Sequence, residues 1–378
     1  MGLGPYGSGG IFKESLYKFA DGRFFVNYDV VDSFQMPARS YEQFKDNFQY
    51  YADVAFWVQR ETEKAVLYVL GSRLEQAYAE NICYAGGVAL NAVANARILE
   101  KLKIRNLYMQ PAAGDNGVSI GCAFYGWMEI LKKELVSHNS STFFGKQYPE
   151  EKVLSALQKR ISKKSSEKGV RNLFKKNVLP SGGQEIVGQP IIYRKMLHRA
   201  ADIAGLLAKG KIIGLFQGRS EFGPRALGNR SILADPRIKG VRDFINKEIK
   251  LREDFRPFAP AVLREDLLVY FKRDQESPYM ILVNEINDAW KERLESVIHK
   301  DCSSRVQTVT RGWNNCFYEI LAEFKKQTGL SVLLNTSFNK RGMPIVETPE
   351  ECIDFFVSSK LDYLVIEDYL VEKTGRGL

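Results

Sequence analysis

No stretch of the sequence approaches the roughly 18 consecutive apolar residues that a membrane-crossing helix needs, and Met1 to Tyr6 lack the basic-then-apolar pattern of a secretory signal. The expectation is a cytoplasmic chain with no membrane partner. Cysteine is sparse. The five residues Cys83, Cys122, Cys302, Cys316 and Cys352 are odd in number, widely spaced and without any C-x-x-C pair, which excludes a disulfide framework and a cysteine zinc site. They read as small buried apolar side chains. Internal repeats are absent, and a composition of 45% hydrophobic and 26% charged residues with 30 Gly and 13 Pro excludes disorder, collagen and coiled coil. What remains is an ordinary globular chain of 378 residues, enough for two or three domains.

The net charge of +9 raises nucleic acid as a partner, so its location matters. Residues 151–190 hold nine Lys/Arg against three Glu, a local net of +6. Most of the excess therefore sits in one segment, which reads as a solvated basic connector. Nucleic-acid binding is kept as the minor alternative.

The first 140 residues alternate helical and strand signals. Apolar spacing without proline over 41–77 predicts one long helix or two abutting ones. Residues 81–85 read as a short buried strand ending in Gly86-Gly87, residues 88–102 as a helix and 106–110 as a second strand. Gly114 to Gly117 then leads into an apolar helix to about Leu131. Strand, glycine turn, helix, twice over, predicts an α/β fold. The pattern weakens over 141–190, where the domain boundary is expected. Beyond it the spacing predicts a helix at 196–209, a strand at 211–216, a helix near 240–249, a buried strand at 329–335, a helix at 349–358 and a strand at 362–366.

The chemistry-bearing residues concentrate between Gln217 and Pro260. Arg219, Arg225, Arg230, Lys250, Arg252 and Arg256 alternate there with turn residues. Arginines on irregular backbone near strand ends present guanidinium forks that match two phosphate oxygens. Pro257 and Pro260 disfavour a helix, so Lys250-Leu251-Arg252 is expected to run extended with both cations on one face. For any one of these residues, pairing with Glu221, Glu248, Glu253 or Asp254 at the surface is the alternative. Strand alternation over Ser304 to Thr308 would send Arg305 and Gln307 to the face opposite Val306. Asn335, Thr336, Ser337 and Asn339 form a polar turn after a buried strand, where α/β sheets gather ligands; a plain turn would use the same residue types.

Four motifs in order, Phe222 to Leu233 (FGPRALGNRSIL), Arg252 to Pro260 (REDFRPFAP), Arg305 to Thr308 (RVQT) and Leu334 to Asn339 (LNTSFN), resemble the C-terminal YrdC-like domain of the O-carbamoyltransferases of the NodU/TobZ type. Ala85 to Asn91 (AGGVALN) and Gln110 to Gly117 (QPAAGDNG) resemble the TsaD-like ASKHA domain of the same family. The resemblance implies the C-terminal lobe of an ASKHA domain over 1–140, a connector over 141–190 and a YrdC-like twisted-sheet α/β domain over 191–378. It further implies that ATP with Mg²⁺ and carbamoyl phosphate give carbamoyl adenylate in the second domain. The carbamoyl group then passes to a hydroxyl of a small-molecule alcohol in the first. On this resemblance Lys250, Arg225 and Arg305 are the expected catalytic residues. Arg230, Arg252, Arg256, Asn335, Thr336, Ser337 and Asn339 would bind carbamoyl phosphate and ATP, Gly86, Gly87 and Asn91 would approach nucleotide in the ASKHA lobe, and Asp115 would ligate a metal.

The sequence departs from the family in one respect. The family carries an H-x-x-x-H metal pair upstream, whereas His138, His198 and His299 are the only histidines here and none is so spaced. Met1 to Gly7 (MGLGPYG) resembles M-G-L-A-P-Y-G from the middle of the family's ASKHA domain. The expectation is therefore a chain that starts mid-domain, as a fragment of a longer reading frame or as one piece of a split enzyme whose N-terminal half is a separate polypeptide, with a decayed remnant as the third reading. Asp115 alone would not hold a transition metal, which usually takes three or more protein ligands; a divalent metal, iron among the candidates, is expected only with the missing half. Threonylcarbamoyl adenylate synthesis for tRNA modification and a non-catalytic nucleotide- or RNA-binding module are the alternatives.

Overall fold

A computed structural model describes residues 1–9, 13–34, 39–136, 141–167 and 191–374. The chain forms two compact units. The first comprises Met1–Ser137, Phe255–Ala259 and Leu267–Thr308, and the second His138–Asp254, Pro260–Asp266 and Val309–Leu378.

In the first unit, strands β1 (Tyr17–Ala20) and β2 (Arg23–Val26) form an antiparallel hairpin. Its turn residues Asp21 and Gly22 both have positive φ, the twist that a two-residue hairpin turn favours. Helix Tyr41–Asp46, capped by the Ser40 side chain, abuts the long helix α1 (Phe48–Gln76), the second of the two arrangements that the 41–77 spacing allows. Trp57 of α1 packs with Leu16 and Val30. Glycine at position 7 lets the N-terminal segment lie on this helix, because a Cβ there would stand 2.3 Å from the Ala52 carbonyl oxygen.

Strands β3 (Asn81–Tyr84) and β4 (Asn106–Met109) pair in parallel across helix α2 (Ala92–Lys101), as the βα pattern predicts. The Asn91 side chain starts α2 by accepting from Ala94 N at 3.2 Å. β3 is not buried as expected: Asn81 and Cys83 are exposed, and Ile82 and Tyr84 are half-buried. Helix α3 (Val118–Tyr125) continues into a π turn, Gly126–Ile130, and leaves Val118, Tyr125, Trp127, Ile130 and Leu131 exposed. Residues 267–308 join this unit through Asn95, whose buried amide donates to Ala89 O at 2.7 Å and Ile281 O at 2.9 Å, and through an ion pair between Arg273 and Glu100. Of the five cysteines only Cys352 is buried; Cys83, Cys122 and Cys316 lie on the outer faces of their elements, which corrects their reading as core residues.

The second unit opens with helix α4 (Glu150–Glu167) where the sequence suggested only a connector. Val153, Ala156 and Leu157 are buried at helical spacing, a stripe that the surrounding charges concealed. Most of the basic segment, residues 168–190, falls outside the described residues. Next along the chain come β5 (Ile191–Lys195), α5 (Arg199–Ala208), β6 (Ile213–Phe216), β7 (Arg230–Ala234), β8 (Ala259–Leu263), β9 (Gln307–Val309), α6 (Asn315–Thr328), β10 (Val332–Ser337), α7 (Pro349–Ser358), β11 (Tyr363–Ile366) and β12 (Tyr369–Lys373), of which Ala259, Gln307 and Thr308 are counted with the first unit. The eight strands form one open sheet in the order β9-β8-β10-β7-β6-β11-β12-β5. β6 and β11 run parallel, whereas β6/β7, β7/β10, β11/β12 and β12/β5 are antiparallel.

Helices α5 and α6 pack against each other, burying Ile203, Leu207, Phe317, Ile320, Leu321 and Phe324. α6 is capped by Asn314 and ends at Gly329, and α7 begins with a capping box of Thr348 and Glu351. The 240–249 helix splits into Val241–Phe244 and a π turn, Ile245–Ile249. Lys250 then has helical dihedrals and Leu251 a φ of 50°. The expected extended run over 250–252 is thus absent, because the chain turns back at Leu251 instead of continuing as a strand. The 304–308 alternation fails for a related reason. Ser303–Arg305 pairs with Val283–Glu285, Gln307–Val309 belongs to the large sheet, and Val306 and Gln307 are both buried.

Candidate active site

Antiparallel pairing of β7 with β10 puts Ser231 opposite Ser337, and Phe338 N donates to Arg230 O at 3.0 Å. Two of the sequence motifs therefore meet where β10 ends. Asn335 is buried, and its Nδ2 reaches Ala226 O at 3.5 Å, tying the strand to the loop that carries Arg225.

Lys250 is 3% exposed. Its ammonium donates to Ser337 O at 2.7 Å, Ser337 Oγ at 3.0 Å and Asn339 Oδ1 at 2.6 Å. Ser337 Oγ also donates to Asn339 Oδ1 at 2.7 Å, and Asn339 Nδ2 to Met343 O at 2.6 Å. A buried cation is thus fixed by three oxygens of a half-buried polar turn. Arg252 is half-buried and donates from Nε to Asn246 Oδ1 at 2.7 Å. Arg225 and Thr336 are half-buried in the same unit.

Arg230 occupies a different position from the one its motif suggested. It is fully buried, lies over the Phe216 ring at 3.5 Å, and donates to Gln217 O at 2.8 Å, Asn229 O at 3.0 Å and Gly218 O at 3.1 Å. Burial lowers its proton affinity from a value high enough that it stays a cation. Its guanidinium serves the loop backbone and does not face outward.

Glu221 was read from sequence only as a counter-ion for surface cations. Its Oε1 instead accepts from the backbone N–H groups of Leu227 at 2.7 Å, Asn229 at 2.7 Å and Arg230 at 3.4 Å. Burial raises its pKa, with the Asn229 and Leu227 N–H groups and the Arg230 charge among the opposing causes. The one available signal was its place just ahead of a long Gly- and Pro-containing loop. Glu367 accepts from Gly218 N at 3.2 Å, and burial raises its pKa as well. Glycine is needed at 228, where φ is 112° and a Cβ would stand 2.5 Å from the Phe317 ring.

The remaining expected residues lie in the first unit. Arg256 is exposed, and Arg305 is half-buried at the end of its short strand. Gly86 has a φ of 102°, with open space within 4 Å of where a Cβ would stand there or at Gly87. Asn91 is engaged in capping α2 and in paired amide bonds with Gln59 at 3.0 and 3.2 Å. Asp115 is exposed, and no group of three or more His, Cys, Asp or Glu among the described residues could hold a metal ion. Asp115 and its neighbours therefore do not fit a metal centre by themselves.

A family model described as carbamoyltransferase N-terminus matches residues 7–124, and one described as carbamoyltransferase C-terminus matches 204–373. The chain belongs to the carbamoyltransferase family. Similar proteins include an uncharacterized protein of Synechocystis sp., 35% identical over 100% of this chain and 64% of its own length. Nodulation protein NolO of Bradyrhizobium diazoefficiens is 32% identical over 100% of this chain and 66% of its own. A 3'-hydroxymethylcephem-O-carbamoyltransferase of Amycolatopsis lactamdurans is 30% identical over 79% of this chain and 50% of its own. The chain spans between half and two-thirds of the length of these relatives. Among the described residues no helix is long and apolar enough to cross a membrane.

Proposed function

We propose that the second unit is a YrdC-like domain that makes carbamoyl adenylate, and that the chain acts as an O-carbamoyltransferase toward a small-molecule alcohol. The observation that carries this reading is the buried Lys250 ammonium set among Ser337 and Asn339, at the end of the strand whose Asn335 reaches the loop that bears Arg225. Two polyanions, ATP and carbamoyl phosphate, repel one another unless cations neutralise them at fixed positions. Lys250, Arg225 and Arg252, all in the second unit, supply those cations. Asn335, Thr336, Ser337 and Asn339 offer amide and hydroxyl groups to phosphate or ribose oxygens. Overall, carbamoyl phosphate, ATP and water give carbamoyl adenylate, phosphate and pyrophosphate, and attack by the alcohol oxygen on the carbamoyl carbon releases AMP.

In this reading the first unit is the C-terminal lobe of an ASKHA domain, and a segment equivalent to the rest of the relatives' length completes the acceptor site. Its surface supports that view. A two-stranded parallel sheet is ordinarily covered on both faces, whereas β3 exposes Asn81 and Cys83, and α3 with its π turn exposes Tyr125, Trp127 and Ile130. A metal, if the family's is used, would be completed by residues of that segment. The test is pyrophosphate release by the purified chain with ATP, Mg²⁺ and carbamoyl phosphate, each omitted in turn. Release that needs all three is expected. ATP binding without release, weakening steeply with salt, would favour a binding module instead.

A further inference from the structure

The connection from β6 to β7 leaves the sheet at Phe216 and returns at Arg230, two residues paired directly across the antiparallel ladder. Most such connections take two to five residues, whereas this one runs over 217–229 with no regular secondary structure. Its backbone polar groups must still find partners, and two charged side chains supply many of them. On the returning limb, Glu221 Oε1 accepts from Leu227 N, Asn229 N and Arg230 N. On the outgoing limb, the Arg230 guanidinium donates to Gln217 O and Gly218 O, and crosses to Asn229 O.

Neutral groups close the base of the loop. Asn229 Nδ2 donates to Arg219 O at 2.7 Å, Gln217 Nε2 to Gly228 O at 2.8 Å and Gly228 N to Ser231 Oγ at 3.0 Å. The anion thus gathers amide hydrogens and the cation gathers carbonyl oxygens, and the part left outside this clamp is the 222–226 apex with Arg225.

We propose that Glu221 and Arg230 are positioning residues: the carboxylate and the guanidinium clamp the two limbs of the loop so that Arg225 is held where a phosphate-bearing substrate binds, and neither contacts that substrate. The role of Arg225 rests on the carbamoyl adenylate reading above. The clamp itself does not.

The experiment therefore has two readouts. Hydrogen exchange at the amides of Leu227, Asn229 and Arg230 is compared in wild type, Glu221→Gln and Glu221→Ala, with amides of α6 as the internal control. Glu221→Gln keeps an Oε1 acceptor and should keep these amides protected within about threefold of wild type, whereas Glu221→Ala should expose them at least tenfold more while α6 stays protected. In parallel, the KM for carbamoyl phosphate in pyrophosphate release should rise at least tenfold in Glu221→Ala and less than threefold in Glu221→Gln, with kcat changing less than KM.

Should Glu221→Ala not fold, Glu221→Asp, one methylene shorter, takes its place in both comparisons. Unchanged protection in a folded Glu221→Ala or Glu221→Asp overturns the clamp. An exposed loop with an unchanged KM overturns its link to substrate. If wild type itself releases no pyrophosphate, the functional reading fails, and the exchange pattern still decides the clamp.

Discussion

Replacing Lys250 by methionine removes the ammonium while keeping an unbranched stem of similar length in the same buried channel. The Ser337 carbonyl, the Ser337 hydroxyl and the Asn339 amide oxygen then lose the donor they share. Hydrogen bonds to a charged group contribute about 1.5–3 kcal/mol each, and because these three share one donor the expected net loss is about 3 kcal/mol rather than their sum. At roughly 2–4 °C per kcal/mol for a domain of this size, the melting transition of the second unit should fall by roughly 6–12 °C. Lys250→Arg should not rescue it, since a planar fork cannot place three hydrogens on oxygens that converge on one tetrahedral nitrogen. The assay is circular dichroism melting beside pyrophosphate release at a temperature where the variant is folded. A variant that melts within about 2 °C of wild type and still releases pyrophosphate would refute both the structural and the catalytic assignment of Lys250.

Arg225→Ala, at a half-buried position outside the clamp, should lower pyrophosphate release at least tenfold at a temperature where calorimetry shows the variant folded; release within threefold of wild type would refute its role. Gly228→Ala forces a positive φ on a residue with a Cβ and drives that atom against Phe317, which should cost about 2–4 kcal/mol in a urea titration. His299 is pushed down to about 4, chiefly by burial and further by Arg305, with Asp301 opposing. A histidine whose folded value lies below its unfolded value stabilises fully above about pH 6.5, and that contribution drains away as pH falls toward 4. Comparing unfolding midpoints at pH 7.5 and 5, wild type should lose roughly 1–2 kcal/mol more than His299→Gln.

The sequence was most legible where one physical signal dominated. Helix 349–358 was bounded by a Thr-Pro start and a buried apolar face, and the structure ends it at the same residues. The abutting helices over 41–77 and the β3–α2–β4 unit were legible from periodicity and glycine placement. Legibility failed where tertiary partners override local pattern. Lys250 and Arg252 read as one face of a strand until Leu251 turns the chain back, and α4 was hidden because its apolar stripe is narrow and its surroundings basic. At the candidate site, the motif residues Lys250, Ser337 and Asn339 do come together, and Asn335 reaches Ala226 of the preceding motif. Composition could not show that Arg230 points inward, since a buried guanidinium served by carbonyls has no local sequence signature. For Glu221 the partners are backbone amides, which a sequence does not display.

Because the Arg230 guanidinium rests on the Phe216 ring at 3.5 Å, the shape of the loop is referenced to the middle of the sheet and not to the protein surface. If the clamp holds Arg225 for substrate as proposed, Phe216 is a residue through which core packing and ligand affinity are coupled. Trimming it to leucine would keep the core apolar but lower the floor under the guanidinium. Selection on this aromatic position would then follow substrate use as much as stability, although Phe216 lies wholly inside the core.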